Sequence, residues 1–311
     1  MSAPTLDESP AGPPPAPEKT AARPERGIRS RPSGPGAARP APRPVLAAVG
    51  AAVTLLGVLA FGFAVYVPAF SGIQEAHSQA AFYRTLRHQL EEGVAPIGPT
   101  AYGAPVAAVD IPAIGLHNAV VVEGTTSRDL MRGPGHRSDT PLPGQQGVSV
   151  LYGRRVTYGG PFGRLPALRA GDRITVTTGQ GRATYTVNAF GDGSHPIADT
   201  VHPDRLVLVT ADSGWAPDRY LLVGATLDGR PQPDPGGRYG YRDAEHPLAH
   251  DQDALAPLQL WALGLCAAAA LATFAVLRWH RWTGLLCSLP VLVALTWCVY
   301  ENAAALLPNL G

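Results

Sequence analysis

Any chemistry in this chain has to come from a short roster of side chains. The sequence holds three cysteines, Cys266, Cys287 and Cys298, all within its hydrophobic C-terminal fifth, and residues 1–265 contain none. A cysteine nucleophile, a thiolate-ligated zinc and a disulfide framework are therefore excluded from everything upstream. The polar middle offers histidines instead: His136 inside Gly-His-Arg (135–137), and His195 and His202 ahead of the run Leu-Val-Leu-Val-Thr. His195 and His202 with Asp199 or Asp204 match no recognised ligand spacing, so they read as loop residues, and no metal or other cofactor is expected. His136 lies in a Gly/Pro-rich stretch and reads as a structural or surface group. Thr210 and Ser213 carry hydroxyls, which are poor nucleophiles without a positioned base. The remaining candidates are cations: Arg154 after Gly153, and Arg219, which lies near Asp212 and Asp218.

The elements that must position these residues are set by composition. Among 311 residues, 25 Lys+Arg balance 24 Asp+Glu for a net charge of +1, which excludes a generally basic nucleic-acid binder. Residues 1–44 are rich in Pro, Ala, Gly and Arg, have no apolar period, and are expected to form a disordered tail. Residues 45–70 run 26 positions without a charge, enough to cross a hydrocarbon core of about 30 Å as a helix. Residues 71–103 form a helical and linker segment, with Phe82, Leu86 and Leu90 at spacing four and Gly93 as a stop. Residues 104–228 hold seven short strand-like runs punctuated by Gly and Pro: 105–112, 118–124, 147–153, 172–178, 183–190, 205–211 and 219–227. Gly-Gln-Gly at 179–181 is expected to close a hairpin between the fourth and fifth of them. Many short strands with few helices point to a mainly β fold, a small barrel or sandwich.

Residues 229–256 read as a linker, and 257–278 and 282–307 as two further membrane helices, the second interrupted by Pro290. Arg278, His280 and Arg281 lie between these two spans. Cytoplasmic loops collect Lys and Arg, so the N-terminal tail and this short loop are placed inside. Three crossings then put residues 71–256 and the C-terminus outside. Trp261, Trp279, Trp282 and Trp297 fall near span ends, where interfacial aromatics gather.

The order of signals in the middle region resembles the sortase family, specifically its actinobacterial class E type. The resemblance rests on APVAAVDIPAIGLHNAVVVEGTT from residue 104, GPGHRSDTPLPGQQGVSVLYGRR from 133, TYGGPFGRLPALRAGDRITV from 157 and LVLVTADSGWAPDR from 206. It implies a closed β-barrel with short helices beside the three transmembrane helices. It also implies a chemistry in which a cysteine thiolate attacks a sorting-signal carbonyl, a histidine moves the proton, and an arginine stabilises the developing oxyanion. The family's Gly-His-Arg aligns with Gly153, Arg154 and Arg155, so the histidine position holds Arg154. Its Thr-Cys aligns with Thr210 and Ala211, so the nucleophile position holds Ala211. Its arginine, eight residues on, aligns with Arg219.

A methyl group has no lone pair to attack a carbonyl. A guanidinium with a pKa above about 12 accepts no proton in water. The resemblance therefore implies a sortase fold without sortase chemistry, in which Arg154, Arg219 and Thr210 line a groove. Two guanidiniums there would suit an anionic group or an extended peptide, held through bidentate contacts and not cleaved. The expected partners are the lipid bilayer and a sorting-signal peptide or another sortase at the cell envelope, with no nucleic acid. Two alternatives stand beside this reading: an active transpeptidase or hydrolase with a non-cysteine mechanism, and a membrane scaffold in which the C-terminal helices do the work.

Overall fold

The computed structural model describes residues 44–195, 197, 203–212, 217–240, 242–278 and 281–310. The tail over 1–43, Asp199, His202, Ser213, Trp279, His280 and the side chain of Trp282 lie outside the described residues. The chain divides into a unit ending at Ala52, whose described part is the opening of the first helix, and a second unit, Val53–Gly311.

Helix α1 spans Pro44–Glu92, 49 residues, with Pro68 inside it. The boundary expected at residue 70 is absent. Residues 71–92 are rich in Ala, Gln, Glu, Arg and Leu, which favour helix, and Ser71 and Gly72 alone do not break it. The helix ends at Gly93, whose φ of +71° is the left-handed turn that glycine adopts without a Cβ clash. Val94 N–H then donates to the Gln89 carbonyl at 2.9 Å. The apolar half of α1 from Val53 to Phe61 is largely exposed. The polar half buries Leu86, flanked by Phe82 and Leu90, against Ala108 and Val120 of the sheet.

Eight strands form a closed barrel: β1 (Pro105–Ile111), β2 (Leu116–Glu123), β3 (Gly135–His136), β4 (Val148–Tyr152), β5 (Arg173–Thr178), β6 (Gly181–Asp192), β7 (Arg205–Ala211) and β8 (Tyr220–Leu227). Their order around the barrel is β1-β2-β3-β4-β7-β8-β6-β5, closed by the antiparallel β1–β5 pair. The β2–β3 and β4–β7 pairs are parallel and the rest antiparallel. The expected hairpin is present, with Thr178 opposite Gly181 across Gly179 and Gln180. Strand β3, two residues long, is the one the sequence runs do not show. A short helix α2 (Ser127–Leu130) follows β2. The barrel interior is filled by Val109, Ile111, Val121, Leu151, Ile174, Tyr185, Leu206, Leu208 and Val223, all 1 % exposed or less.

Helices α3 (Leu255–Arg278) and α4 (Arg281–Ala305) complete the chain, with Pro290 inside α4. With α1 they make three helices long and apolar enough to cross a membrane. Aromatic rings join α1 to α4: Tyr66 lies 5.0 Å from Trp297 and 5.4 Å from Tyr300, centroid to centroid. The Tyr300 hydroxyl donates to the Leu59 carbonyl at 2.8 Å and passes over Gly62, where a Cβ would collide with it.

Candidate functional site

In β4 and β7 every second residue faces the barrel interior, as the two-residue strand period requires. Leu151, Leu206 and Leu208 point in. The alternate positions, Val150, Tyr152, Val207, Val209 and Ala211, point out and are apolar too, with Tyr220 and Leu222 of β8 beside them. A sheet apolar on both faces needs cover on both. Here the outer cover is partial. Leu130 of α2 and Leu310 of the C-terminal tail, each 0 % exposed, sit on it. Beside them a cleft of about 250 Å³ remains open, lined by Arg137, Val150, Val207, Tyr220, Leu222 and His246. A groove along the ends of β4, β7 and β8, partly filled and partly vacant, is the candidate site.

Helix α2 is fixed by a capping box. Asp129 N–H donates to the Thr126 hydroxyl, and Thr126 N–H donates to the Asp129 carboxylate at 3.3 Å. Burial raises the Asp129 carboxyl above its usual range, and the bonds from Thr126 oppose that rise.

Ala211, the last residue of β7, is fully buried and pairs with Tyr220. Its carbonyl accepts from the Arg155 guanidinium at 2.8 Å, and so does the carbonyl of Asp212. The Thr210 hydroxyl is buried and donates to the Gly153 carbonyl at 2.9 Å, a bond that ties β7 to the end of β4. Arg154 is 0 % exposed. Its guanidinium donates to the Thr157 hydroxyl at 3.0 Å and to the Ser127 hydroxyl at 2.7 Å and carbonyl at 3.3 Å, and it lies 5.1 Å from the Tyr158 ring centre. Burial pushes Arg154 down to about 10, so it remains a cation at neutral pH and is no proton acceptor there. Arg219 is the opposite case: its side chain is 63 % exposed and pairs with Asp212 at 3.5 Å and Asp218 at 3.9 Å.

The expected pair of groove-facing guanidiniums is therefore not formed in this conformation. A side chain without exposed surface cannot offer itself to a ligand arriving from solvent. Arg155 is the arginine that reaches the end of β7, and nothing in its sequence neighbourhood singles it out. Arg154 and Arg155 lie past the end of β4, where the chain bends, so no strand period assigns their sides.

His136 is buried together with Glu123, each 2 % exposed. Its Nδ1 is 3.0 Å from the Glu123 carboxylate, and its Nε2 is 3.0 Å from the Pro141 carbonyl and 3.2 Å from the Thr140 hydroxyl. Acceptors occupy both ring nitrogens, which leaves none facing a substrate. The pair joins β2 to β3, and no periodicity in the sequence announces it. His195 is exposed, 3.3 Å from Asp192, whose carboxyl is held below its usual range first by the backbone N–H of His195 and then by that of Ser194. Among the described residues no group of three or more His, Cys, Asp or Glu is arranged to hold a metal.

A family model described as the Sortase domain matches residues 109–227, from β1 through β8. The chain carries a sortase domain. Sortase D of Bacillus subtilis (strain 168) is 33 % identical over 112 residues, which cover 33 % of this chain and 55 % of that protein. The chain thus spans about half the length of the curated relative it matches. Among solved structures, sortase E from Streptomyces avermitilis is 30 % identical, covering 47 % of this chain and 100 % of that one with a TM-score of 0.35. A Clostridium perfringens Sortase D5 transpeptidase is 23 % identical, covering 49 % and 99 % with a TM-score of 0.42.

Proposed function

We propose that this chain is a membrane-anchored, class E-like member of the sortase family that binds an extended peptide along the β4–β7–β8 groove and does not cleave it. The supporting observation is the end of β7: Ala211 stands where the family resemblance requires the thiol, and its backbone is capped by Arg155. All three cysteines lie in α3 and α4, away from the barrel strands. The partly vacant apolar groove supports binding, since it offers an extended strand-like peptide a pocketed surface. The arginine carried over from the family, Arg219, is exposed beside the groove's end and suits a carboxylate or backbone carbonyl of such a peptide. The basic N-terminal tail and the short loop with Arg278 and Arg281 support a cytoplasmic N-terminus and an extracellular barrel, and the partner is then a sorting-signal peptide or another sortase at the envelope.

The test incubates the full chain in nanodiscs with a sorting-signal peptide and an amine nucleophile, and follows products and protein mass. The expected result is peptide retained with no transpeptidation, no hydrolysis and no covalent adduct. A mass increase on the barrel, or turnover, would overturn the non-catalytic part of the reading. Ala211→Cys supplies the missing nucleophile, and an adduct found only in that variant would support it.

A further inference from the structure

The chain's last residues bear on the groove. Helix α4 ends at Ala305, and Pro308 lies three residues on, where the helix cannot continue. Residues 306–310 turn back to the barrel. Leu310 has no exposed surface and belongs to the buried cluster that holds Leu130, Tyr152, Val209 and Ala211. Its carbonyl accepts the backbone N–H of Arg155 at 3.2 Å. Arg155 thus holds the tail with its backbone and the end of β7 with its side chain. Asn309 is also fully buried. Its N–H donates to the Ala249 carbonyl at 2.9 Å, and its side-chain amide donates to the carbonyls of Ala244 and His246 at 2.8 Å each. That same loop supplies His246 and Pro247 to the rim of the vacant cleft. The cleft continues the face that Leu310 covers, along Val150, Val207 and Leu222.

We propose that the tail 306–310 is a built-in occupant of the peptide groove, seating Leu310 against Ala211 and Arg155 where an external peptide would place an apolar side chain. This rests on the peptide-binding reading and adds its regulation. The contacts are those that peptide recognition uses: one buried aliphatic side chain, one backbone carbonyl taken by a barrel N–H, and an asparagine that reads loop carbonyls. A partner that competes must carry an aliphatic residue in an extended segment and must displace the tail. Because the tail is tethered five residues beyond α4, its effective concentration is of millimolar order, and a free peptide of equal intrinsic affinity binds the intact chain poorly. The seat also links groove occupancy to the membrane helix that delivers the tail.

The experiment uses full-length protein in nanodiscs and a fluorescent heptapeptide copying residues 305–311 (Ala-Leu-Leu-Pro-Asn-Leu-Gly), with binding read by polarisation up to about 1 mM. Three proteins are compared: the intact chain, Leu310→Arg, and a chain ending at Leu307. Val209→Arg is added to the shortened chain to block the groove. The expected result is binding about tenfold tighter or more in both tail variants than in the intact chain, with that gain abolished by Val209→Arg. Equal binding by all three, still sensitive to Val209→Arg, overturns the built-in occupant and leaves the peptide-binding reading standing. A gain that survives Val209→Arg places the peptide elsewhere and overturns the proposal. No binding by any of the proteins overturns both.

Discussion

At the residue scale the arginines and the buried His136–Glu123 pair decide most. Arg154 holds Ser127 and Thr157 from a position with no solvent, so its role is to anchor α2 to the loop after β4. Lysine at this position keeps the charge and loses the planar fork. We expect Arg154→Lys to lower stability by about 1–3 kcal/mol, read by chemical denaturation, because at least one buried hydroxyl loses its donor. An unchanged midpoint would remove the anchoring role. For the Glu123–His136 pair, replacing either partner alone by alanine should cost about 3–5 kcal/mol, since each leaves the other buried and unmatched. The double replacement should cost clearly less than the sum of the two, and strict additivity would show that the residues do not interact.

At the element scale the junction of α1 with the barrel stands out. The Gln79 side chain behaves as a fragment of neighbouring strand. Its oxygen accepts Val120 N–H at 2.7 Å, and its amide donates to the Val120 and Arg132 carbonyls at 2.9 Å each. Ser71 accepts Tyr158 N–H at 2.9 Å at the other end of the same stretch. The expected outcome for Gln79→Ala is faster proteolysis between residues 71 and 92 and a loss of about 1–3 kcal/mol, as the Val120 backbone groups lose their partners. Protection equal to the parent chain would mean that Leu86 and its neighbours dock the helix by themselves. The spacing of Phe82, Leu86 and Leu90 made this face legible in the sequence. Gln79 was not legible, because a polar residue on a helix carries no sign of which backbone it will meet.

At the scale of the whole molecule the prediction concerns sidedness. In cells carrying cysteine-substituted chains without the native cysteines, an impermeant maleimide should label Arg230→Cys from outside. It should reach Ser33→Cys only after permeabilisation. Labelling of both, or the reverse pattern, would overturn the proposed orientation. The sequence by itself determined the parts that depend on local composition and period: three apolar spans, the β-rich middle region, the Thr178–Gly181 hairpin, and a polar region without a thiol. These are properties of neighbouring residues, and chain geometry reads them directly. The tertiary structure alone decided which of two adjacent arginines is sealed inside. It also joined His136 to Glu123 and bent the final residues back over β7. Each of those outcomes rests on contacts between segments far apart in sequence, whose meeting depends on how the barrel closes and not on any spacing along the chain.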